Sequence, residues 1–167
     1  MTGTLIAECV LRIAAAFALL GFSGCATEAP PAPTAQPAFY RNIAQGGQLD
    51  AATAASMISG YRANNGLGAV AVDPELMQLA EEHSRTMAAR DKVDNNVAKR
   101  ARGGAKVTVE NVSAGYHTLA EAFSGWRDSP PHRANMLNKG ATRIGIAAIY
   151  SPKSKYKVFW TLILAPG

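Results

Sequence analysis

The stretch SPPHRANML, residues 129–137, carries His132, whose imidazole is suited to acid–base chemistry. Histidine changes its charge near neutral pH, so it serves as a general base or as a metal ligand. Pro130 and Pro131 precede it, and neither can continue a helix that arrives from the amino-terminal side. We therefore expect the chain to turn at these prolines and to fix the direction of His132. The alternative is that His132 only caps a short helix over residues 132–137.

The chain has two other histidines, and both have a structural explanation. His83 lies on the apolar stripe of a predicted helix, where a packed, hydrogen-bonded core histidine is more common than a ligand. His117 directly precedes the predicted helix cap Thr118 and is interpreted as a surface or cap residue. The sequence contains neither a G-x-S-x-G nor an HExxH motif, and nothing marks Ser113 or Ser129 as an activated nucleophile.

The amino-terminal segment indicates export. The apolar run at residues 13–21 is too short to span a bilayer comfortably and has the length of the hydrophobic region of a secretory signal. The following FSGCATE resembles a bacterial lipobox, in which the cysteine is lipidated and becomes the mature amino terminus; here that residue is Cys25. Lipid on Cys25 would attach the protein to a membrane. The alternative is ordinary signal-peptidase cleavage near Ala26, which would make the protein secreted or periplasmic.

Cys9 and Cys25 are the only cysteines, so the domain that follows them has no disulfide and no thiolate nucleophile or ligand. Residues 29–38, APPAPTAQPA, are rich in proline and alanine and predict an extended, semi-rigid tether. The chain then divides into a signal peptide with the lipobox-like cysteine over 1–25, a linker and lead-in over 26–48, and one domain over 49–167.

The chain has a formal net charge of +5, and its basic residues form two clusters, at residues 99–106 and 153–157. A basic surface of this kind binds anionic lipid head groups or anionic polysaccharide, or it is simply a solvated face. Neither cluster carries the pattern of stacking aromatics that binds single-stranded nucleic acid, so we expect no nucleic-acid partner.

A small set of elements has to position these residues. The predicted helices cover residues 50–64, 73–90 and 118–126, and the predicted hairpin strands cover 143–150 and 156–164. Asp73 is a good cap for the second helix, and Thr118 with Glu121 forms a capping box for the third. Both strands are apolar on both faces, so we expect them to be covered on both sides. The predicted fold class is α/β, a three-layer α–β–α sandwich around a central, mainly antiparallel sheet.

Residues 110–150 resemble the core of the CAP superfamily, also called SCP-like. Its bacterial members have a Gly-Glu-Asn segment, a helix with a tryptophan, and then Ser-Pro-Gly-His-Arg. Here VEN at 109–111, Trp126 and SPPHR at 129–133 match these elements, with valine and proline in place of the two glycines. The resemblance implies the three-layer fold and a cleft. In the family that cleft commonly carries two histidines and acidic residues, and it can hold a divalent metal.

By position, the resemblance implies that Glu110 and His132 are the cleft pair. We expect a Glu110 carboxylate oxygen within about 4 Å of a His132 ring nitrogen, or one water away. We also expect a His132 pKa above about 6.5, unless burial outweighs the pair. The remaining cleft-lining candidates are Asn95, Asn111, Asp128 and Ser129. Because Asn95 stands near the place of the family's first histidine, we expect no metal and no cofactor.

Three functions are compatible with this pattern. The first is an exported, non-enzymatic binding or interaction module of the bacterial cell envelope, whose ligand is a lipid or an anionic envelope component. The second is a hydrolase in which His132 is the general base and Glu110 orients it. The third is a structural envelope protein with a vestigial cleft. The sequence leaves the oligomeric state open.

Overall fold

The computed structural model describes residues 35–96 and 109–167. The predicted signal peptide with Cys25, the first part of the linker and the basic cluster at 99–106 lie outside the described residues. Those described belong to one compact unit, Ala35–Gly167. Within the two described ranges, no helix is long and apolar enough to cross a membrane.

Four helices and four strands make up the described part of the chain, preceded by two short 3-10 turns, Ala38–Tyr40 and Ile43–Gln45. In chain order the elements are α1 (Ala51–Ala63), β1 (Ala71–Val72), α2 (Pro74–Arg90), β2 (Val109–Ala114), α3 (Leu119–Asp128), α4 (Pro130–Met136), β3 (Arg143–Tyr150) and β4 (Val158–Ala165). The three helices and the hairpin predicted from the sequence are all present.

The four strands form one sheet in the order β1-β3-β4-β2. β3 and β4 pair antiparallel over their whole length, from Arg143 opposite Ala165 to Tyr150 opposite Val158. β2 pairs antiparallel with the other side of β4, whereas the two-residue β1 runs parallel to β3. The prediction of a central, mainly antiparallel sheet is confirmed, and β2 lies at one end of the sheet order.

Helices cover both faces of the sheet. On one face, Leu76, Leu79 and Met87 of α2 pack in a cluster with Phe159 and Ile163 of β4. On the other face, α1, α3 and α4 pack against the alternate residues of β3 and β4. Every residue of β4 is buried, as expected for a strand with a helical layer on each face. The predicted three-layer α–β–α sandwich is confirmed.

Local sequence explains where the helices begin. The Asp73 carboxylate accepts a hydrogen bond from the Leu76 amide at 2.9 Å and so caps α2. Asp73 also pairs with Arg143 at 2.8 Å, which ties the start of α2 to the start of β3. Thr118 and Glu121 form the predicted capping box at the start of α3. These predictions succeed because each depends on residues within one helical turn.

The proline pair, in contrast, does not act as the sequence suggested. α3 runs to Asp128, and α4 begins at Pro130 rather than at His132. Pro130 and Pro131 occupy the first turn of α4. Proline is tolerated there because the backbone N–H groups of a first turn have no acceptor within the helix, so their loss costs no hydrogen bond. His132 is therefore the third residue of a helix. The direction of its side chain is set by α4 and not by a turn.

The segment before residue 49, predicted as linker and lead-in, packs partly on the domain. Ile43 is buried in the same cluster as residues of α1 and α3, and Phe39 is packed against that cluster. The Ile43 amide donates a hydrogen bond to the His117 carbonyl at 2.9 Å. The compact part of the chain therefore starts before the predicted boundary.

Candidate functional site

Two asparagine side chains join the two halves of the sequence motif, which lie in β2 and α4. The Asn111 side-chain amide donates to the His132 carbonyl at 2.9 Å. The Asn135 side-chain amide donates to the Glu110 carbonyl at 2.8 Å and to the Asn111 side-chain oxygen at 2.9 Å. These contacts link residues more than twenty positions apart in the sequence. The fold thus brings the VEN segment beside the PHRAN segment, as the resemblance implies.

Burial makes this amide network a rigid part of the site. Asn111 is 1% exposed, so its polar side chain has lost contact with water. A buried amide is costly unless its donors and acceptors are paired, and here both ends of the Asn111 side chain have partners. Asn111 thus holds α4 beside β2, and its predicted place in the lining of the cleft stays a prediction. Asn135, which the sequence analysis did not select as a site residue, shares that role.

His132 lies half-buried in the first turn of α4. Burial lowers the pKa of its imidazole below the ordinary value, because desolvation disfavours the charged form. A close carboxylate would raise this pKa, so the shift runs against the direction expected for a dominant ion pair. The imidazole is therefore neutral at pH 7 and offers one hydrogen-bond donor and one acceptor.

Glu110 occupies a half-buried position in β2, directly opposite Ile163 of β4. Residues directly opposite in an antiparallel pair share one face of the sheet, and Ile163 belongs to the cluster that packs under α2. Glu110 is therefore on the α2 face, whereas its neighbour Asn111 alternates to the other face and reaches α4. The predicted carboxylate–imidazole pair with His132 stays a prediction.

The chain after α2 folds back towards that helix. Asp91 ends α2 in a left-handed conformation with φ 50°, and the His83 ring nitrogen Nε2 lies 2.6 Å from the Asp94 carbonyl oxygen. A carbonyl only accepts, so Nε2 carries the proton. His83 is fully buried, as its interpretation as a packed core residue requires. Asn95, the residue near the family's first histidine, follows directly and is exposed.

Asp128 and Ser129, the other two predicted cleft-lining residues, lie between α3 and α4. The Asp128 carboxylate accepts a hydrogen bond from the neighbouring Arg127 guanidinium at 2.8 Å, and both side chains are largely exposed. This contact lowers the pKa of the Asp128 carboxyl. Ser129 separates the two helices, and its carbonyl accepts from the Arg133 amide at 2.8 Å. Their place in the cleft stays a prediction.

The described residues do not fit a tightly held divalent metal. A zinc site needs three or more well-placed nitrogen, sulfur or oxygen ligands. No group of three histidine, cysteine or acidic residues is placed to hold an ion within 35–96 and 109–167. An amide, Asn95, stands near the place where the family often has a second imidazole.

Arg62 of α1 supports the site and was not selected from the sequence. Its side chain is fully buried. The guanidinium donates to the carbonyls of Gly68, Met136, Asn138 and Ala141 at 2.8–2.9 Å. Three of these carbonyls lie at the end of α4 and in the segment that follows it, so Arg62 fixes that end of the helix. The sequence did indicate that Arg62 is buried, because it falls four residues after Ile58, on the apolar stripe of α1.

Solved structures with the same fold include three bacterial proteins. An outer surface protein from Borrelia burgdorferi matches with a TM-score of 0.59 and 17% identity, over 70% of this chain and 92% of its own. An extracellular protein containing a SCP domain from Bacillus anthracis matches with a TM-score of 0.59 and 22% identity, over 70% of this chain and 40% of its own. A cysteine-rich secretory protein from Staphylococcus aureus matches with a TM-score of 0.55 and 14% identity, over 68% and 37%. This chain thus spans well under half of the length of the latter two proteins.

A sequence search finds no curated protein that matches the chain. The family model described as CAP, the cysteine-rich secretory protein family, matches residues 55–164. This range begins inside α1, ends one residue before the end of β4, and contains the asparagine network, His132 and Glu110. On this match and the shared fold, the chain belongs to the CAP (cysteine-rich secretory protein) family.

Proposed function

We propose that the protein is an exported, lipid-anchored component of the bacterial cell envelope, whose CAP domain is a non-enzymatic binding module for a lipid or an anionic envelope component. One observation carries the proposal: the polar groups of the motif are used to build a rigid wall. The amides of Asn111 and Asn135 are committed to backbone carbonyls. His132 is left as a neutral, half-buried imidazole at that wall.

A wall of this kind suits recognition better than proton abstraction. The sequence marks neither Ser113 nor Ser129 as an activated nucleophile, and the asparagine amides beside His132 are already bound to backbone carbonyls. A neutral imidazole still donates and accepts hydrogen bonds to a ligand. Two of the structural neighbours, described as an outer surface protein and an extracellular protein, support an envelope setting.

The cations near the turn between β3 and β4 are an argument for an anionic ligand. Lys153 and Lys155 are exposed there. The Ser154 hydroxyl donates to the Asp91 carboxylate, which holds the turn beside the end of α2. Arg90, at that helix end, is also exposed. The fold thus gathers cations that are some sixty positions apart in the sequence, and a cationic surface attracts an anionic envelope component such as polysaccharide.

We expect the protein, purified under mild conditions from its native host, to retain a ligand that native mass spectrometry detects as a discrete added mass. His132→Ala should lower the occupied fraction several-fold, because one good hydrogen bond contributes about 1 kcal/mol, a factor of about five. The matched control is His117→Ala, which removes a histidine outside the motif. Turnover of a substrate that disappears in His132→Ala would instead support the hydrolase. If the added mass has the same occupancy in both variants, the ligand does not bind beside His132.

For the anchor, we expect the wild-type protein to partition into the detergent phase and to sediment with membranes. Cys25→Ser should release it or leave it unprocessed, because the lipid-bearing thiol is gone. Cys9→Ser is the matched control and should change nothing, since Cys9 precedes the apolar run. A wild-type protein found wholly in the soluble fraction, with Ala26 or a later residue as its amino terminus, would contradict the anchor.

A further inference from the structure

Helix α1 presents a surface without exposed charge. Arg62 is the only charged residue in this 13-residue helix, and it is fully buried. The outer surface of α2, on the other side of the sheet, is charged, with Glu81 and Arg85 exposed and paired. Surface helices of soluble proteins normally carry charged side chains on the solvent side. The outer side of α1 is therefore suited to an apolar or interfacial surrounding.

A groove runs along this uncharged surface. Its volume is about 500 Å³, and it lies between the first 3-10 turn and α1. We call this surface the α1 face; it consists of Phe39, Tyr40, Ala52, Thr53, Ser56 and Met57. Its residues are aromatic, aliphatic or hydroxyl-bearing, and none is charged.

Tyr40 gives the α1 face an interfacial character. It is 51% exposed, more than any other large apolar side chain in the described residues. Its ring lies 4.6 Å from that of Phe39, measured between centroids. Aromatic residues with a polar tip are favoured at the boundary between lipid and water. Tyr40 therefore resembles an interfacial anchor, and Phe39 joins it to the core cluster, against which Phe39 packs.

Two opposite charges border the α1 face. The pKa of the Asp50 carboxyl is lowered, chiefly by hydrogen bonds from the Thr53 amide and hydroxyl and further by the positive charge of Arg41. Arg41 and Asp50 thus contribute one charge of each sign at the edge of the face. Attraction to this surface would then depend on its aromatic and apolar groups and not on anionic charge.

The predicted membrane anchor lies close in sequence to two residues of this face, Phe39 and Tyr40. Ten positions separate Cys25 from Ala35, where the described domain begins, and such a chain reaches at most about 36 Å when fully extended. A tether this short raises the effective concentration of the bilayer at the nearest domain surface, so weak contacts suffice. Phe39 and Tyr40 follow Ala35 within five residues and are therefore the aromatic residues of the described domain that are nearest to the anchor in sequence.

We infer that the α1 face rests on the lipid bilayer, with the Phe39–Tyr40 pair at the lipid–water interface and the groove against the head-group region. The inference rests on the proposed lipid anchor at Cys25. It fixes the orientation of the domain on the membrane and leaves the α2 side facing away from the lipid, because α2 covers the opposite face of the sheet.

The test places a tryptophan on either side of the domain. Tyr40→Trp puts it on the α1 face, and Gln78→Trp puts it on the exposed side of α2 without a change of charge. Each full chain, purified from host membranes, is reconstituted into phosphatidylcholine vesicles with or without brominated acyl chains, which quench tryptophan on contact. The two natural tryptophans are buried and set the baseline.

We expect Tyr40→Trp to lose up to about a third of its emission in brominated vesicles, because one of its three tryptophans touches lipid. Gln78→Trp should match the wild type. Equal quenching of both variants, or of neither, in protein that floats with the vesicles would overturn the orientation and leave the anchor standing. Protein that does not float refutes the anchor and the orientation together. Quenching of Tyr40→Trp that appears only when anionic lipid is added to the vesicles would also overturn the inference. So would a protein that self-associates through the α1 face and shows no quenching by the lipid.

Discussion

Arg62→Met should destabilise the protein by about 3–5 kcal/mol, because buried backbone carbonyls lose the hydrogen bonds that the guanidinium donates. Methionine fills much of the volume of the arginine stem but donates no hydrogen bond. The carbonyls of Met136 and Ala141, which are buried with the guanidinium, would lose their donors. A buried carbonyl without a partner costs about 1–3 kcal/mol. The loss is measured by urea denaturation, with the fluorescence of the two buried tryptophans as the signal.

Two further variants show whether the geometry of the guanidinium is responsible. Arg62→Lys keeps the charge but not the planar set of donors, so it should lose an intermediate amount. Arg85→Met removes an exposed arginine that pairs with Glu81 on α2, and its cost should stay below about 1 kcal/mol. An Arg62→Met loss similar to that of Arg85→Met would show that Arg62 is not buried as described.

Features that depend on neighbouring residues were predictable from the sequence. The Asp73 cap and the Thr118–Glu121 capping box act within one turn of helix, and both form as predicted. The doubly apolar strands predicted a sheet covered on both faces, and every residue of β4 is buried. These predictions succeed because helix capping and strand burial follow from short sequence patterns.

The start of α4 was not predictable in the same way. A proline pair ends a helix or begins one with equal steric justification, and the local sequence does not decide between them. In the structure Ser129 separates α3 from α4, and the prolines open the second helix. The outcome depends on how α4 packs beside β2.

Long-range hydrogen bonds are the part of the site that the sequence conceals. Asn135 reaches Glu110 across 25 positions, and Arg62 reaches Ala141 across 79. No local pattern encodes such contacts; they exist because the sheet brings β2, α4 and the end of α1 together. The resemblance placed Glu110 and Asn111 beside the His132 segment, but it did not show that the backbone of that segment is held by asparagine side chains.

Trp126→Ala should cost about 3–5 kcal/mol, as large aromatic-to-alanine changes in a core do. Trp126 is 1% exposed and packs between α3 and the sheet. Its ring meets that of Trp160 edge to face, with 6.3 Å between centroids and 84° between planes, a favourable arrangement for two aromatic rings. Thermal unfolding followed by circular dichroism measures the loss without relying on tryptophan fluorescence. A loss below about 1 kcal/mol would mean that α3 is placed wrongly.

Replacement by phenylalanine distinguishes the two tryptophans. The Trp160 indole donates to the Tyr116 carbonyl at 2.8 Å, whereas the indole nitrogen of Trp126 is buried and has no hydrogen-bond partner among the described residues. Trp160→Phe should therefore cost about 1–3 kcal/mol more than Trp126→Phe, because it leaves a carbonyl without its donor. Trp126→Phe loses apolar contact but no hydrogen bond. A Trp126→Phe loss equal to that of Trp160→Phe would show that the Trp126 indole has a polar partner, such as a buried water, that stabilises the native fold.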